Sequence, residues 1–487
     1  MELFGIETLG RDLSALSTEI ILFGFSLAVL LIGVILKGET RRYTGYVALF
    51  GYILALLPLF LGVGEGFEAF FGMVSVDPFT TFFKFLFLIV GFLVVLLSLD
   101  YTVREGVAFG EYYALVLIAT TGMMLMAGAA NLVTIFLGLE IMSLSVYALS
   151  GITREDPRSV EAAFKYFLLG AFASAFMLYG MALLYASTGT FHLGEMARVL
   201  TEKGLMSRPL VLVGMGLLLL GFAFKLALVP FHMWTPDVYE GAPTPITAFM
   251  ATGVKAAAFA GLLRVAFAIL PELQGKWEEL MWVLAVATMT LGNLVALRQE
   301  DVKRMLAYSS IAHAGYVLVG FIAGGERGHA AMLFYLYAYA FMNIGAFSVV
   351  ALMGRRGQPN TLLDCWSGAG FKHPLLGLAM TVFLFSLAGV PPTAGFMAKF
   401  YVFGAAVKAG YYWLAILGVL NSAVAAYYYL RVLVYMYFRE PKEGVETGYP
   451  SLAGALAILL ALWGVLQLGI SPSGFLALAE QSLRSML

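Results

Sequence analysis

Charge is scarce in this chain of 487 residues: Asp, Glu, Lys and Arg make up 12% of it, about half the share of an ordinary soluble domain. So few ionised side chains cannot cover a water-facing surface. Cysteine is scarcer still. The single Cys365 excludes an internal disulfide, a Cys-x-x-Cys pair and an iron–sulfur cluster held by this chain alone. The five histidines stand apart at 192, 232, 313, 329 and 373, so no metal-ligand spacing is visible and no metal is expected. No Gly-x-Gly-x-x-Gly follows a strand-like run, which removes the usual dinucleotide site. A net charge of −1 and the lack of a basic tail argue against nucleic acid as a partner. Redox chemistry connected with this chain has to occur elsewhere.

What remains is apolar: 61% of the residues are hydrophobic. A membrane span needs about 20 apolar residues. Fourteen candidates can be marked out, from 17–37 to 452–471, with no loop long enough for a soluble domain. The expected fold is an all-α polytopic membrane protein, one transmembrane domain over 1–487 with the lipid bilayer as its surroundings. The first run leads directly into further spans and reads as a span, not a cleaved signal. With the N-terminus outside, the inner loops hold 14 lysines and arginines and the outer segments 8. That bias predicts both termini on the outer side.

Two of the spans are interrupted. The seventh, 209–238, carries Lys225 five residues before Pro230. His232 follows, then Pro236, Pro243 and Pro245, and Lys255 lies midway along the next run. Proline lacks the backbone N–H and clashes with the carbonyl four residues back, here Leu226, so the helix should break there. The twelfth, 374–407, is broken by Pro391 and Pro392, with Lys399 just beyond. Broken helices in lipid are tolerated where protein or a water-filled cavity satisfies the freed backbone, and an intramembrane lysine is a functional candidate by default. Interruptions at corresponding places in two halves point to a transporter-type repeat. The repeats are expected at 112–269 and 279–437, with the broken helix fourth in each. A snorkelling lysine on a kinked structural helix is the blander reading.

Glu140 reads as the one acid deep in a span, needing a basic partner or a proton; Lys165, at the start of the next span, is the nearest in sequence. That pair could equally be a fixed lock between two helices. Arg264 and Arg431 lie toward span ends, where snorkelling to the interface is expected. Ser309, His313 and Tyr316 share one helix face, and Tyr335, Tyr339 and Asn343 share another. Each stripe can hold a file of waters or glue helices together; placed between two buried lysines, they read as a hydrated route.

Long strings in the chain resemble the antiporter-like subunits of respiratory complex I, the proton-pumping NADH–quinone oxidoreductase, and most of all its subunit N branch. They are LGLEIMSLSVYAL, FKLALVPFHMWTPDVYEGAPTP, QEDVKRMLAYSSIAHAGY and LAGVPPTAGFMAKFYVF. The resemblance implies two inverted five-helix bundles and a role in coupling electron transfer from NADH to quinone to proton pumping. It makes Glu140 and Lys165 the charged pair, Lys225 the broken-helix lysine, Lys255 the connecting lysine and Lys399 the lysine of the second break. It places His232 and His313 on the hydrated axis. Its partners would be the other membrane subunits, which together with the peripheral ones hold NADH, FMN, iron–sulfur clusters and quinone; no cofactor falls to this chain. The implied location is the bacterial inner (plasma) membrane. A subunit of a multi-subunit cation/proton antiporter or of a membrane-bound hydrogenase is the alternative, and a non-conducting scaffold the reading of a different class.

Overall fold

The structure, a computed structural model, describes residues 6–61, 66–269, 276–355, 357–442, 451–484 and 486. Both chain ends, on which the expected siting of the termini turns, lie outside the described residues. Among these residues, thirteen helices are long and apolar enough to cross a membrane, or fourteen if Leu363–Lys372 and Pro374–Ala388, bent by 119°, count as one. In chain order they begin with α1 (Ser17–Ile35), α2 (Thr40–Leu61), α3 (Pro78–Arg104), α4 (Gly110–Ala127), α5 (Leu132–Ser150), α6 (Pro157–Thr188) and α7 (Pro209–Leu226). A short α8 (Trp234–Gly241) follows, then α9 (Thr244–Ile269), α10 (Trp277–Ala296), α11 (Val302–Ala323) and α12 (Gly325–Met353). The expected twelfth span appears as two fifteen-residue halves, α13 (Pro374–Ala388) and α14 (Ala394–Lys408). Neither half is long enough to span alone. α15 (Tyr412–Phe438) and α16 (Leu452–Ile470) complete the set.

Helix starts follow local chemistry. Asp77 and Asp156 accept the backbone N–H of Thr80 at 2.7 Å and of Arg158 at 2.9 Å. The prolines that follow them take the first helical position, where a missing N–H costs nothing. Asn131 and Asp301 cap α5 and α11 in the same way. One element departs from the all-α expectation: an antiparallel hairpin of β1 (Phe67–Ala69) and β2 (Val74–Val76) between α2 and α3. Its turn carries Phe70, Phe71 and Gly72 at positive φ.

α9 and α12 are buried along their whole apolar stretch, while only 33% of that of α6 is covered. α9, α11 and α12 therefore form the interior, and α6 presents Phe164, Phe172 and other apolar side chains outward. Both expected breaks occur. α7 stops at Leu226, with Ala227 left-handed at φ 57°. α13 stops at Ala388, with Gly389 at φ 94°. A π-helical turn, Met250–Val254, sits inside α9 directly before Lys255; such turns frequently mark functional positions in helices.

Candidate functional site

Five lysines lie in the interior: the expected Lys225, 2% exposed, Lys255, 3%, and Lys399, 5%, together with Lys84 and Lys303, each 5%. Lys225 closes the last turn of α7. Its Nζ donates to the Tyr147 hydroxyl at 3.3 Å and lies 5.0 and 4.9 Å from the ring centres of Tyr147 and Tyr166, within cation–π reach. Trp234, at the start of α8, stacks on Tyr166 with ring centres 4.3 Å apart. Its indole N–H donates to the carbonyl of Phe224 at 3.1 Å. The break thus returns the chain against the lysine that precedes it.

Glu140 and Lys165 do not pair. Glu140 is half-buried on the α5/α6 rim and accepts from the Ser174 hydroxyl at 2.5 Å. Lys165, also half-buried, bonds Asp237 at 2.7 Å and Glu161 at 2.6 Å. The reason is registry: Ser174, which meets Glu140, lies nine residues further along α6 than Lys165, about 13 Å at 1.5 Å per residue. A gap lined by Leu139, Gly170, Ala173, Ser174, Gly221 and Lys225 separates Glu140's partner from Lys225, and it has no room for water. His232 falls in the turn between α7 and α8 with its Nδ1 buried and without a hydrogen-bond partner among the described residues. It is not joined to the polar chain that holds His313.

Lys255 sits one residue from the start of that chain, its Nζ donating to the Ser310 carbonyl at 2.6 Å and also to the Ser310 hydroxyl. The neighbouring Ser309 hydroxyl meets Tyr429 at 2.5 Å, and Tyr429 lies 3.2 Å from His313 Nε2. His313 Nδ1 lies 2.8 Å from the Tyr335 hydroxyl. Either ring nitrogen of an imidazole can carry the proton, so this run of hydroxyl–imidazole–hydroxyl can pass one along. Tyr316 stands beside His313 with ring centres 5.5 Å apart; its ring faces Lys399 Nζ at 5.1 Å and its hydroxyl accepts from Asn293 at 2.9 Å. Of the expected second stripe, Tyr335 touches His313, while Asn343 bonds Tyr339.

Lys399 has all three ammonium protons engaged: by the carbonyls of Leu387 at 3.0 Å and Ala388 at 2.9 Å and by the Ser422 hydroxyl at 2.6 Å. The two carbonyls are those freed where α13 ends. A protein donor satisfies the freed backbone there: the ammonium of Lys399, at a helix end whose dipole favours a cation.

Several buried groups have no signal in a linear reading. Glu19 is 4% exposed and pairs with Lys84 at 2.8 Å, so Glu140 is not the only acid within the spans. Arg264, expected to snorkel, is 6% exposed and forks onto both oxygens of Asp77 at 2.7 and 2.9 Å. Burial alone raises the Asp77 carboxyl, but the Arg264 guanidinium, the Thr80 N–H and the Ser75 hydroxyl hold it below the usual carboxylate range. Arg431 likewise turns inward, onto the carbonyls of Leu297 and Gln299 at the end of α10. Tyr147, Tyr429 and Asn293 come from distant segments, and only an apolar string containing a lone polar residue hints at them. A polar cleft of about 530 Å³, bordered by Arg104, Asp156, Arg158, Glu240 and Lys303, opens beside α8. Among the described residues, no cluster of three or more His, Cys, Asp or Glu could hold a metal ion.

Residues 129–425 match the family model described as NADH:quinone oxidoreductase/Mrp antiporter, transmembrane. The chain is 51% identical to NADH-quinone oxidoreductase subunit N of Trichlorobacter lovleyi over 473 residues, 97% of each protein. Among solved structures it matches a chain of respiratory complex I from Thermus thermophilus, with aureothin bound, at 41% identity and a TM-score of 0.80, covering 95% of this chain and 99% of that one. A chain of the Mrp complex from a Dietzia species shares the fold, with a TM-score of 0.81 at 22% identity over 96% and 97% of the two chains.

Proposed function

The chain belongs to the NADH:quinone oxidoreductase/Mrp antiporter membrane family, and from that premise we propose that it is the subunit N type of proton-translocating subunit in an NADH-quinone oxidoreductase, moving protons along Lys225, Lys255, the His313 chain and Lys399. NADH, FMN, iron–sulfur clusters and quinone are then held by other subunits of the complex, and this chain contributes proton transfer alone. The multi-pass chain sits in the bacterial inner membrane with both termini outside, and 112–269 and 279–437 are its two inverted repeats.

One observation carries the reading. Of the five buried lysines, Lys84 pairs with Glu19, whereas Lys225, Lys255 and Lys399 have no carboxylate within ion-pair distance among the described residues and rest on hydroxyls, carbonyls or rings. Lys303, also without one, is spent on the carbonyls that end α8. An ammonium held this way can release its proton without stranding a buried negative charge, whereas breaking a buried ion pair leaves a charge uncompensated at a cost of about 3–5 kcal/mol. Structural locks elsewhere in the molecule, such as Glu19–Lys84 and Asp77–Arg264, are built the other way. Glu140, half-buried and without a basic partner among the described residues, is the group whose charge acts on Lys225; moving a charge to about 4 Å is worth roughly 4 kcal/mol at an effective dielectric near 20. The dry gap between them means that this step requires a local rearrangement.

Replacing Lys255 with methionine keeps the bulk and removes the relay between the two breaks. The assembled complex in sealed vesicles is expected to slow in coupled NADH oxidation. Unchanged coupled turnover in that variant would show that protons do not pass through Lys255.

A further inference from the structure

α8 has only eight residues, fewer than an isolated helix needs to hold itself together, yet it supplies the wall of the Lys225 site. Trp234 at its start bonds Phe224 and stacks on Tyr166, whose ring faces Lys225. Three cations from two other helices hold it. Lys303 on α11, 5% exposed, donates to the carbonyls of Glu240 at 3.0 Å and Ala242 at 2.5 Å, the negative end of the α8 dipole. Its neighbour Arg304 bonds Asp237 at 2.8 Å and Glu240 at 2.7 Å. Lys165 on α6 takes the other oxygen of Asp237 at 2.7 Å. α11 thus supplies two of the three cations, and one face further along the same helix carries Ser310, the seat of Lys255.

We propose that Lys303 and Arg304 are positioning residues that fix Lys225 through α8, so that the helix seating Lys255 also sets the frame of Lys225. This rests on the reading that Lys225 carries protons. The two basic residues neither touch Lys225 nor lie on the polar chain; their effect passes through Asp237, Glu240 and the Trp234–Tyr166 stack. Residues that act through one another are non-additive when both are removed, whereas independent ones add. A clamp that only held the fold together would therefore weaken the protein without regard to what stands at 225.

The test is a double-mutant cycle on the assembled complex in proteoliposomes, reading protons moved per electron pair for Arg304→Gln, Lys225→Ala and the two combined. Arg304→Gln is expected to lower the ratio, and the combination to fall no lower than Lys225→Ala alone. Arg304→Lys is expected to recover part of the loss, because one ammonium still reaches one carboxylate though not both. A combined variant lower than Lys225→Ala by the full Arg304→Gln loss overturns the proposal, as does a normal ratio in Arg304→Gln beside a deficient Lys225→Ala. A normal ratio in Lys225→Ala itself instead sinks the proton path, and the proposal with it. Should Arg304→Gln fail to assemble, Trp234→Phe gives the same cycle from the other end of α8, since it keeps the stack and loses the bond to Phe224; full additivity there overturns the proposal equally.

Discussion

Tyr147 is the residue on which the Lys225 site turns. Its hydroxyl is the polar partner of the ammonium and its ring one of the two faces beneath it. Tyr147→Phe keeps the ring and the buried area and removes only the acceptor. Hydrogen bonds to charged groups contribute about 1.5–3 kcal/mol, so proton pumping by the assembled complex is expected to fall about tenfold or more, while assembly stays near normal. Glu140→Gln separates charge from hydrogen bonding: glutamine still accepts from Ser174 but cannot act on Lys225 electrostatically. It is expected to depress pumping in vesicle assays as strongly as Glu140→Ala, and Glu140→Asp less than either. The Asp77–Arg264 pair has a different signature. The Asp77 carboxyl is held low in the folded protein, so its contribution is complete above the unfolded value near ~3.9. It fades as pH falls through the lower folded value. Asp77→Asn, which leaves Arg264 buried and unpaired, is expected to cost about 3–5 kcal/mol near neutral pH. Thermal unfolding in detergent should show the gap between the parent and this variant narrowing only below about pH 4.

Among the elements, the two breaks hold their lysines by different means, and each has its own test. The first ends on Ala227 at φ 57°, a left-handed conformation that costs an L-residue roughly 1–2 kcal/mol and glycine little. Ala227→Gly is expected to leave pumping intact and to raise the melting temperature slightly; a clear loss of stability would mean that the alanine methyl does more than the backbone pays. At the second break, a Cβ on Gly395 would stand 1.8 Å from the carbonyl oxygen of Ser386. Gly395→Ala must therefore push α14 from α13, at about 1–3 kcal/mol for overpacking, and carry Lys399 off its two carbonyls. Hydrogen exchange at 389–395 should quicken and pumping fall together. The breaks were legible because proline and glycine act through their own backbone. What fills each break was not: the acceptors for Lys399 are its neighbours across the gap, and the ring beneath Lys225 comes from α5 and α6.

Across the whole molecule, the class, the span count and the buried lysines could be read from composition and from charges stranded in apolar runs. The pairing of those charges could not, because a period of 3.6 residues gives the face of a helix but not the height at which its neighbour stands. Lys165 was matched to Glu140 by nearness in sequence, and the packing of α6 on α5 and α8 gives it to Asp237 instead. Arg264 sits near a span end, yet Asp77 arrives from a loop far upstream in the chain. The two-stranded hairpin is too short to show as a pattern. At this scale the central claim is that protons cross this chain along the line of lysines. The most direct test is the number of protons moved per electron pair by the assembled complex in proteoliposomes, with Lys225, Lys255 and Lys399 all replaced by alanine. The account predicts a ratio below that of the parent with electron transfer still measurable. A parental ratio in the triple variant would contradict it.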